Sequence, residues 1–366
     1  MYIDNKILVG KSSNKELCLL LDKVNRHGLI TGASGSGKTI TLKVLAESFS
    51  SAGVPVFLAD VKGDIAGTCI PGENSEKVQE RLEKLNIENF KFQGFPVHFW
   101  DVFGKKGHPI RTTIKDVGPI ILSKMLGLSE ASEGVLAIVF KIASDKNLEL
   151  IDLKDLKILL TYVAEHRSEF ITTYGNITTQ SVGVIQRSLL QLETQGGNDF
   201  FGEPNLDILD FIKINQDNLG YINIMDCVEL FKSPDLYACF LLWILTTLYQ
   251  TLPEVGDLDK PKVVFFFDEA HLLFDDMPSH MLKEITTIVK LIRSKGIGLF
   301  FISQAPTDVP DAIISQLGNR ICHQLRAYTP AEEKIVKTAA SAFRINPAFD
   351  TETAIKALGT GEALIS

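Results

Sequence analysis

The segment Gly32-Ala33-Ser34-Gly35-Ser36-Gly37-Lys38-Thr39 constrains this chain more than any other. It satisfies GxxxxGK[ST] at every position. It also lies between an apolar strand, His27 to Thr31, and a stretch over 38–50 whose apolar residues Ile40, Leu42, Val44, Leu45 and Phe49 recur with helical spacing. Glycines let such a loop curl until successive N–H groups and the helix N-terminus face one point, which suits phosphate oxygens. The cradle is expected to run through Ala33, Ser34, Gly35, Ser36, Gly37, Lys38, Thr39 and Ile40. Lys38 supplies a mobile positive charge for β- and γ-phosphates, and Thr39 a hydroxyl for a magnesium ion.

A strand feeding a helix through such a loop belongs in a parallel α/β sheet, and the chain continues in that pattern. Strands are expected at Val54 to Ala59, Val97 to Val102, Tyr221 to Met225, 262–267, 298–302, 320–325 and 361–366. Helices are expected at about 75–86, 234–252, 279–295 and 330–342. Residues 6–21 read as a hairpin with a polar turn, Lys11 to Lys15. Between 115 and 215 helical patterns dominate and strands are scarce. The expected organisation is therefore an N-terminal hairpin segment, 1–26, an ATPase-type core formed by 27–114 and 216–366, and an α-helical insertion, 115–215.

Composition closes off several alternatives. Hydrophobic residues at 45% and charged residues at 22% exclude a disordered or fibrous chain. With 37 basic against 45 acidic side chains the net charge is −8, so nucleic acid contact requires a local basic surface. Five cysteines without a CxxC pair argue against a disulfide framework or structural zinc, and for a reducing cytoplasm. Leu236 to Leu252 carries no charge, but its Thr246, Thr247, Gln250 and two tyrosines mark a helix buried in a large core rather than a membrane span.

A second chemical element follows the apolar run Val263 to Phe267: Asp268-Glu269. Carboxylates ending a buried strand stand where open α/β sheets bind ligands. Asp268 is placed to hold the magnesium shell, and Glu269 to polarise an attacking water. A glutamate here favours hydrolysis over phosphoryl transfer to a small molecule, which disfavours a kinase. Asp268-Glu-Ala-His271 also spells the DEAH box of two-lobed helicases, but the chain has one P-loop and no HRxGRxxR-like run, so His271 reads as a first-turn helix residue. Gln304, after strand 298–302, is positioned to reach the γ-phosphate. Arg320, opening the next strand, is the candidate for an arginine given to a neighbouring subunit's site, with Arg326 and Arg293 as competitors.

These motifs, NRHGLITGASGSGKT, FFFDEAHLLF, LIRSKGIGLFFISQAP and LGNRICHQL, resemble in content and order the HerA/FtsK superfamily, most nearly the bacterial HerA-like (YjgR-type) ATPases. ADVKGD, GHPIRTT and LGTGEALIS extend the likeness over nearly the whole chain. The resemblance implies a RecA-like P-loop domain with a helical insertion. It also implies a ring, usually a hexamer, that binds ATP and Mg²⁺ between subunits. Relatives of this kind pump double-stranded DNA, and HerA works beside a nuclease. Lys38 and Thr39 match the P-loop pair, Asp268 and Glu269 the acidic pair, Gln304 the sensor and Arg320 the trans arginine. Only residues 1–26 precede the P-loop strand where HerA carries a β-barrel, and close relatives continue past the final strand.

For DNA, the chain offers a stretch between Asp101 and Asp116 that has no acid and carries Lys105, Lys106, Arg111 and Lys115. The helix with Lys283, Lys290, Arg293 and Lys295 is a second candidate surface. The expected activity is a Mg²⁺-dependent ATPase ring acting on double-stranded DNA. The alternative is an ATP-gated homo-oligomeric scaffold that recruits a nuclease or another effector.

Overall fold

The computed structural model describes residues 1–12, 15–88, 90–256, 258–275 and 277–366. Its centre is a nine-stranded sheet. The strands that build it are β4 (Gly28–Thr31), β5 (Val56–Asp60), β6 (Val97–Asp101), β7 (His108–Pro109), β8 (Ile222–Asp226), β9 (Val263–Phe267), β10 (Ile297–Ser303), β11 (Asn319–His323) and β12 (Ala363–Ile365). They lie in the order β12-β11-β4-β10-β9-β5-β8-β6-β7. Every pairing is parallel except that of β12, which runs antiparallel to β11 along the edge. The expected RecA-like α/β class with a mainly parallel sheet is what the chain adopts.

The central strands are apolar throughout because both faces are covered. In β9 all five residues, Val-Val-Phe-Phe-Phe, are buried. Their side chains nevertheless sort by the two-residue period. Phe266 faces helix α1 (Lys38–Ser51), its ring 6.1 Å from Phe49 and 5.1 Å from Phe300. Phe265 and Phe267 face the opposite layer, 5.0 Å from Phe57 and 5.4 Å from Phe301.

Helix α2 (Glu76–Lys84) follows β5 and is capped at its N-terminus by Ser75, within the 75–86 expectation. The helical stretch holds α3 (Ile114–Met125), α4 (Glu130–Asp145), α5 (Leu153–Glu165), α6 (Arg167–Tyr174), α7 (Thr179–Thr194) and α8 (Gly197–Phe200). Their buried residues form one continuous apolar cluster with Phe57, Phe265, Phe267 and Phe301 of the sheet and with α9 (Pro234–Thr251). The insertion therefore has no separate core; it thickens one face of the sheet. Wedged between the two, α9 buries an unbroken run from Leu236 to Leu245, which explains its uncharged sequence. Among the described residues no helix is long and apolar enough to cross a membrane.

At the N-terminus, β1 (Tyr2–Ile3) joins the expected hairpin of β2 (Lys6–Ser12) and β3 (Lys15–Leu20) in a three-stranded antiparallel sheet. The tip of the expected turn, Ser13-Asn14, lies outside the described residues. The remaining helices are α10 (Ala270–Phe274), α11 (Ser279–Leu291), α12 (Asp311–Ile314), α13 (Pro330–Ser341) and α14 (Thr351–Ala357).

Candidate active site

Strand register brings the chemistry to one edge. Ser303 pairs with Thr31, Phe301 with Phe267, Ala59 with Phe267, and Asp60 with Asp226. The loops that follow β4, β5, β9 and β10 therefore leave the sheet side by side at its carboxyl edge, where ligands bind in such folds.

The P-loop leaves β4 at Gly32, and Gly35 and Gly37 hold φ of +77° and +120°, conformations that side chains rarely adopt. At Gly32 a Cβ would stand 2.6 Å from His323 Cβ and from Ser36 Oγ, so the position has no room for one. The loop is braced from outside: Ala33 N–H donates to Gln324 O (2.8 Å) and Gly361 N–H to Ser36 O (2.9 Å). Lys38 Nζ donates to Gly32 O (2.6 Å) and Ala33 O (3.2 Å) within its own loop, and burial lowers its pKa. No side chain caps α1, and no acid occupies its first turn. Its free N–H groups and dipole are left facing the loop, an arrangement suited to an anion. Ser36 Oγ is buried without a hydrogen-bond partner among the described residues. Ser34, Gly35 and Ile40 are exposed, and Ala33, Gly37 and Thr39 are half-buried.

Across from the loop, Asp268 and Glu269 are each 5% exposed. Glu269 has φ +48° and ψ +52°, a left-handed conformation that costs a non-glycine residue about 1 kcal/mol or more. The two carboxylates are driven apart electrostatically. Burial raises the Asp268 pKa to about 6; the Glu269 N–H (2.9 Å, to Oδ1) and Lys62 offset part of that rise. Its Oδ2 has no partner among the described residues. Burial pushes Glu269 upward too, but the hydrogen bond and charge of Lys62, with His271 and Lys38, more than offset this, and its pKa falls. Lys62 Nζ pairs with Glu269 Oε1, while His271 Nδ1 lies 3.3 Å from Oε2. His271 stands in the first turn of α10, as expected, and also touches Ser303 Oγ at 3.4 Å. Ser303 Oγ in turn donates to Asp308 Oδ2 (2.5 Å).

Gln304 is exposed directly after Ser303, one residue beyond the Ser303–Thr31 pair and so level with the start of the P-loop. Arg320 is not brought to this edge. It pairs with Leu29, further back along the sheet, and its guanidinium donates to Leu317 O (3.3 Å) and Ile314 O (3.4 Å). Arg326 and Arg293 are exposed. The basic stretch after β6 is less free than its sequence suggests. Arg111 is held by Asp199 O (3.1 Å) and Glu203 O (2.7 Å), Lys106 by Asp226 (2.8 Å) and Lys115 by Glu149 (2.8 Å). Lys105 lies over the Phe103 ring at 5.6 Å. Arg111 thus also joins this segment to the helical layer, holding the carbonyls of Asp199 and Glu203.

Two residues of the site carried no expected role. Lys62 lies in the ADVKGD segment, whose position after the strand beside β9 is the signal that points to it. His323 bridges Thr41 Oγ1 and Glu362 O, each at 2.9 Å, and so ties the P-loop helix to the C-terminal segment.

The chain is similar to several known proteins. The "DNA double-strand break repair helicase HerA" of Sulfolobus acidocaldarius is 23% identical over 98% of this chain. That of Sulfurisphaera tokodaii is 23% identical over 100%. The chain spans 66% and 67% of their lengths, about two thirds. Among solved structures, the plasmid coupling protein TrwB in complex with an ATP analogue superposes with a TM-score of 0.62 at 11% identity, covering 100% of this chain and 91% of that one. VirB4 of Thermoanaerobacter pseudethanolicus gives 0.59 at 16% identity, covering 100% and 94%. Residues 5–366 match the helicase HerA-like C-terminal family, and the chain belongs to it.

Proposed function

We propose that this protein is a Mg²⁺-dependent ATPase that forms a ring, in the hexameric arrangement of its superfamily, and couples hydrolysis to movement on double-stranded DNA. The observation that carries this reading is the P-loop, with Lys38 folded onto its own carbonyls, facing two buried carboxylates of opposite pKa shift. Lys38 and the uncapped N-terminus of α1 hold the phosphates. Glu269, anionic at neutral pH, takes a proton from the attacking water as its oxygen bonds to the γ-phosphorus. The bond from that phosphorus to the bridging oxygen breaks, and ADP departs with the electron pair. The residues fit a divalent cation: Asp268 Oδ2, buried and unpartnered among the described residues, would hold Mg²⁺ together with Thr39. When bound, the ion neutralises phosphate charge. Gln304 orients the water, and Arg320 serves a neighbouring subunit's site.

The name of the HerA relatives supports DNA as the partner. The internal pairing of Lys106, Arg111 and Lys115 favours a second reading, an ATP-gated oligomeric scaffold for a nuclease or other effector. In either case we place the protein in the cytoplasm. ATP hydrolysis measured with and without linear double-stranded DNA, with Glu269→Gln as the blank, tests the proposal. Stimulation by DNA that the variant abolishes supports the motor. Hydrolysis indifferent to DNA favours the scaffold, and no hydrolysis in the native protein refutes the motor.

A further inference from the structure

Lys62 is anchored with unusual care for an exposed lysine. Asp60, 2% exposed at the end of β5, accepts the N–H groups of Lys62 (3.1 Å) and Gly63 (2.7 Å) on Oδ1 and that of Ile65 (3.1 Å) on Oδ2. Gly63 turns the chain at φ +76°. The backbone under Lys62 is therefore fixed, and its side chain crosses from β5 to the neighbouring β9 to reach Glu269 Oε1. The pair is asymmetric: the Glu269 side chain is 6% exposed and that of Lys62 is 47% exposed. The lysine can leave into the open side of the site, whereas the glutamate cannot. Lys62 also lies within electrostatic reach of Lys38 and Asp268. Both lysines thus rest on oxygen acceptors of the protein, Lys38 on loop carbonyls and Lys62 on Glu269.

We propose that Lys62 is a positioning residue that reads the terminal phosphate of a nucleoside triphosphate. It holds Glu269 while that phosphate is absent, then moves onto it and releases Glu269 Oε1 to the attacking water. The inference rests on the reading of this site as a nucleotide site. A phosphate dianion is a stronger partner for an ammonium group than a single carboxylate oxygen. A diphosphate leaves the terminal position vacant, so Lys62 stays on Glu269 and the base remains occupied. A purely structural ion pair would affect stability alike with either nucleotide and would not distinguish them.

Equilibrium titration with fluorescent ADP and a fluorescent non-hydrolysable ATP analogue, in Mg²⁺, tests this on the full chain. Lys62→Met should weaken the triphosphate by about tenfold, near 1.4 kcal/mol, while ADP affinity changes by less than about twofold. Lys62→Arg should retain most of the preference. Glu269→Gln, which no longer holds the lysine, should bind the triphosphate more tightly, by about threefold or more, and this gain should vanish in the Lys62→Met background. Equal weakening of both nucleotides by Lys62→Met, no weakening at all, or additive effects of the two substitutions would overturn the inference. Lys38→Ala separates it from the underlying reading. If the native protein binds both nucleotides and Lys38→Ala neither, a null result at Lys62 removes only the positioning role. If the native protein binds neither, the nucleotide reading falls and takes this inference with it.

Discussion

His27 makes the stability of this fold depend on pH, with a sign and size that follow from its surroundings. It precedes β4 and is 2% exposed. Its Nδ1 accepts the Leu299 N–H (3.1 Å), so Nε2 carries the proton and donates to Val289 O (2.9 Å). The neutral ring is thereby matched on both sides, and a second proton has no acceptor. Burial, aided by the nearby Arg293 charge and opposed by the Val289 carbonyl, holds its pKa down at about 4 against 6.5 for an ordinary histidine. Above pH 6.5 the ring is neutral whether the chain is folded or not, and the histidine's contribution is fully present. As pH falls from 6.5 toward 4 the unfolded chain takes up a proton that the folded chain refuses, so this stability is progressively lost. A gap of about 2.5 units at about 1.36 kcal/mol each amounts to roughly 3 kcal/mol.

His27→Asn is the informative perturbation. Asparagine tolerates the +58° φ of this position and keeps an acceptor for Leu299 N–H, but does not titrate. At pH 7.5 the variant should be less stable, by about 1–3 kcal/mol, because Val289 O loses its partner. Between pH 6.5 and 4.5 the difference should shrink by about 2 kcal/mol, as the native protein loses what the variant never had. Urea unfolding at several pH values reads this as native minus variant, so that the other titrating groups cancel. Parallel stability curves across that range would refute the reasoning.

Gly28→Ala would place a Cβ 2.2 Å from Phe300 Cε1, and should lower stability by about 1–3 kcal/mol in thermal unfolding. Adding Phe300→Leu should recover part of that loss; an unchanged Tm in the single variant would rule the clash out. Lys105→Glu with Lys106→Glu should weaken binding to double-stranded DNA and reduce its salt slope by about 2, whereas an unaltered slope removes both residues from the DNA surface. Arg111→Met should instead destabilise the fold, by about 1–3 kcal/mol in urea unfolding, since it frees the carbonyls of Asp199 and Glu203. For the trans arginine, inactive Glu269→Gln subunits mixed with inactive Arg320→Ala subunits should regain ATPase activity at interfaces that pair an intact glutamate with an intact arginine. Failure of every mixture to regain activity sinks the assignment.

Local signals made the sheet and the P-loop legible. A strand buried on both faces has to be apolar, so Val263 to Phe267 and 298–302 declared themselves. The glycine-rich turn needs φ values that few other residues supply. What stayed hidden depends on distance along the chain. Glu269 meets Lys62 across 207 positions, and no periodicity encodes that contact. The partners of the basic stretch were hidden for the same reason. Its net charge is visible in sequence, but Asp226 lies 120 positions from Lys106 and the carbonyls that hold Arg111 belong to the helical layer. The texture change at 115–215 marks a change of secondary structure, and the helices there nevertheless share one core with the sheet. β7, two residues long, and α14 gave no pattern to read.

The C-terminal segment is bound to the same edge by contacts that make it part of the P-loop's architecture. Gly361 N–H donates to Ser36 O, Gly361 O accepts the Arg81 guanidinium, and Glu362 O accepts from His323 Nδ1, whose other ring nitrogen meets Thr41 in α1. A Cβ on Gly37 would come within 3.3 Å of Gly361 Cα, so loop and C-terminal turn approach backbone to backbone. A phosphate settling into the loop must form its hydrogen bonds with N–H groups that these contacts already orient, so little ordering remains to oppose binding. The same contacts mean that a shift of the loop on nucleotide exchange is felt directly by β12 and by Arg81 on α2. β12 lies at the opposite end of the sheet order from β6 and β7, where Lys105 and Lys106 stand. Lys62, on the loop that leaves β5, reaches Glu269 at the end of the neighbouring β9, and these two strands lie near the middle of that order, so their contact stands between the two ends of the sheet.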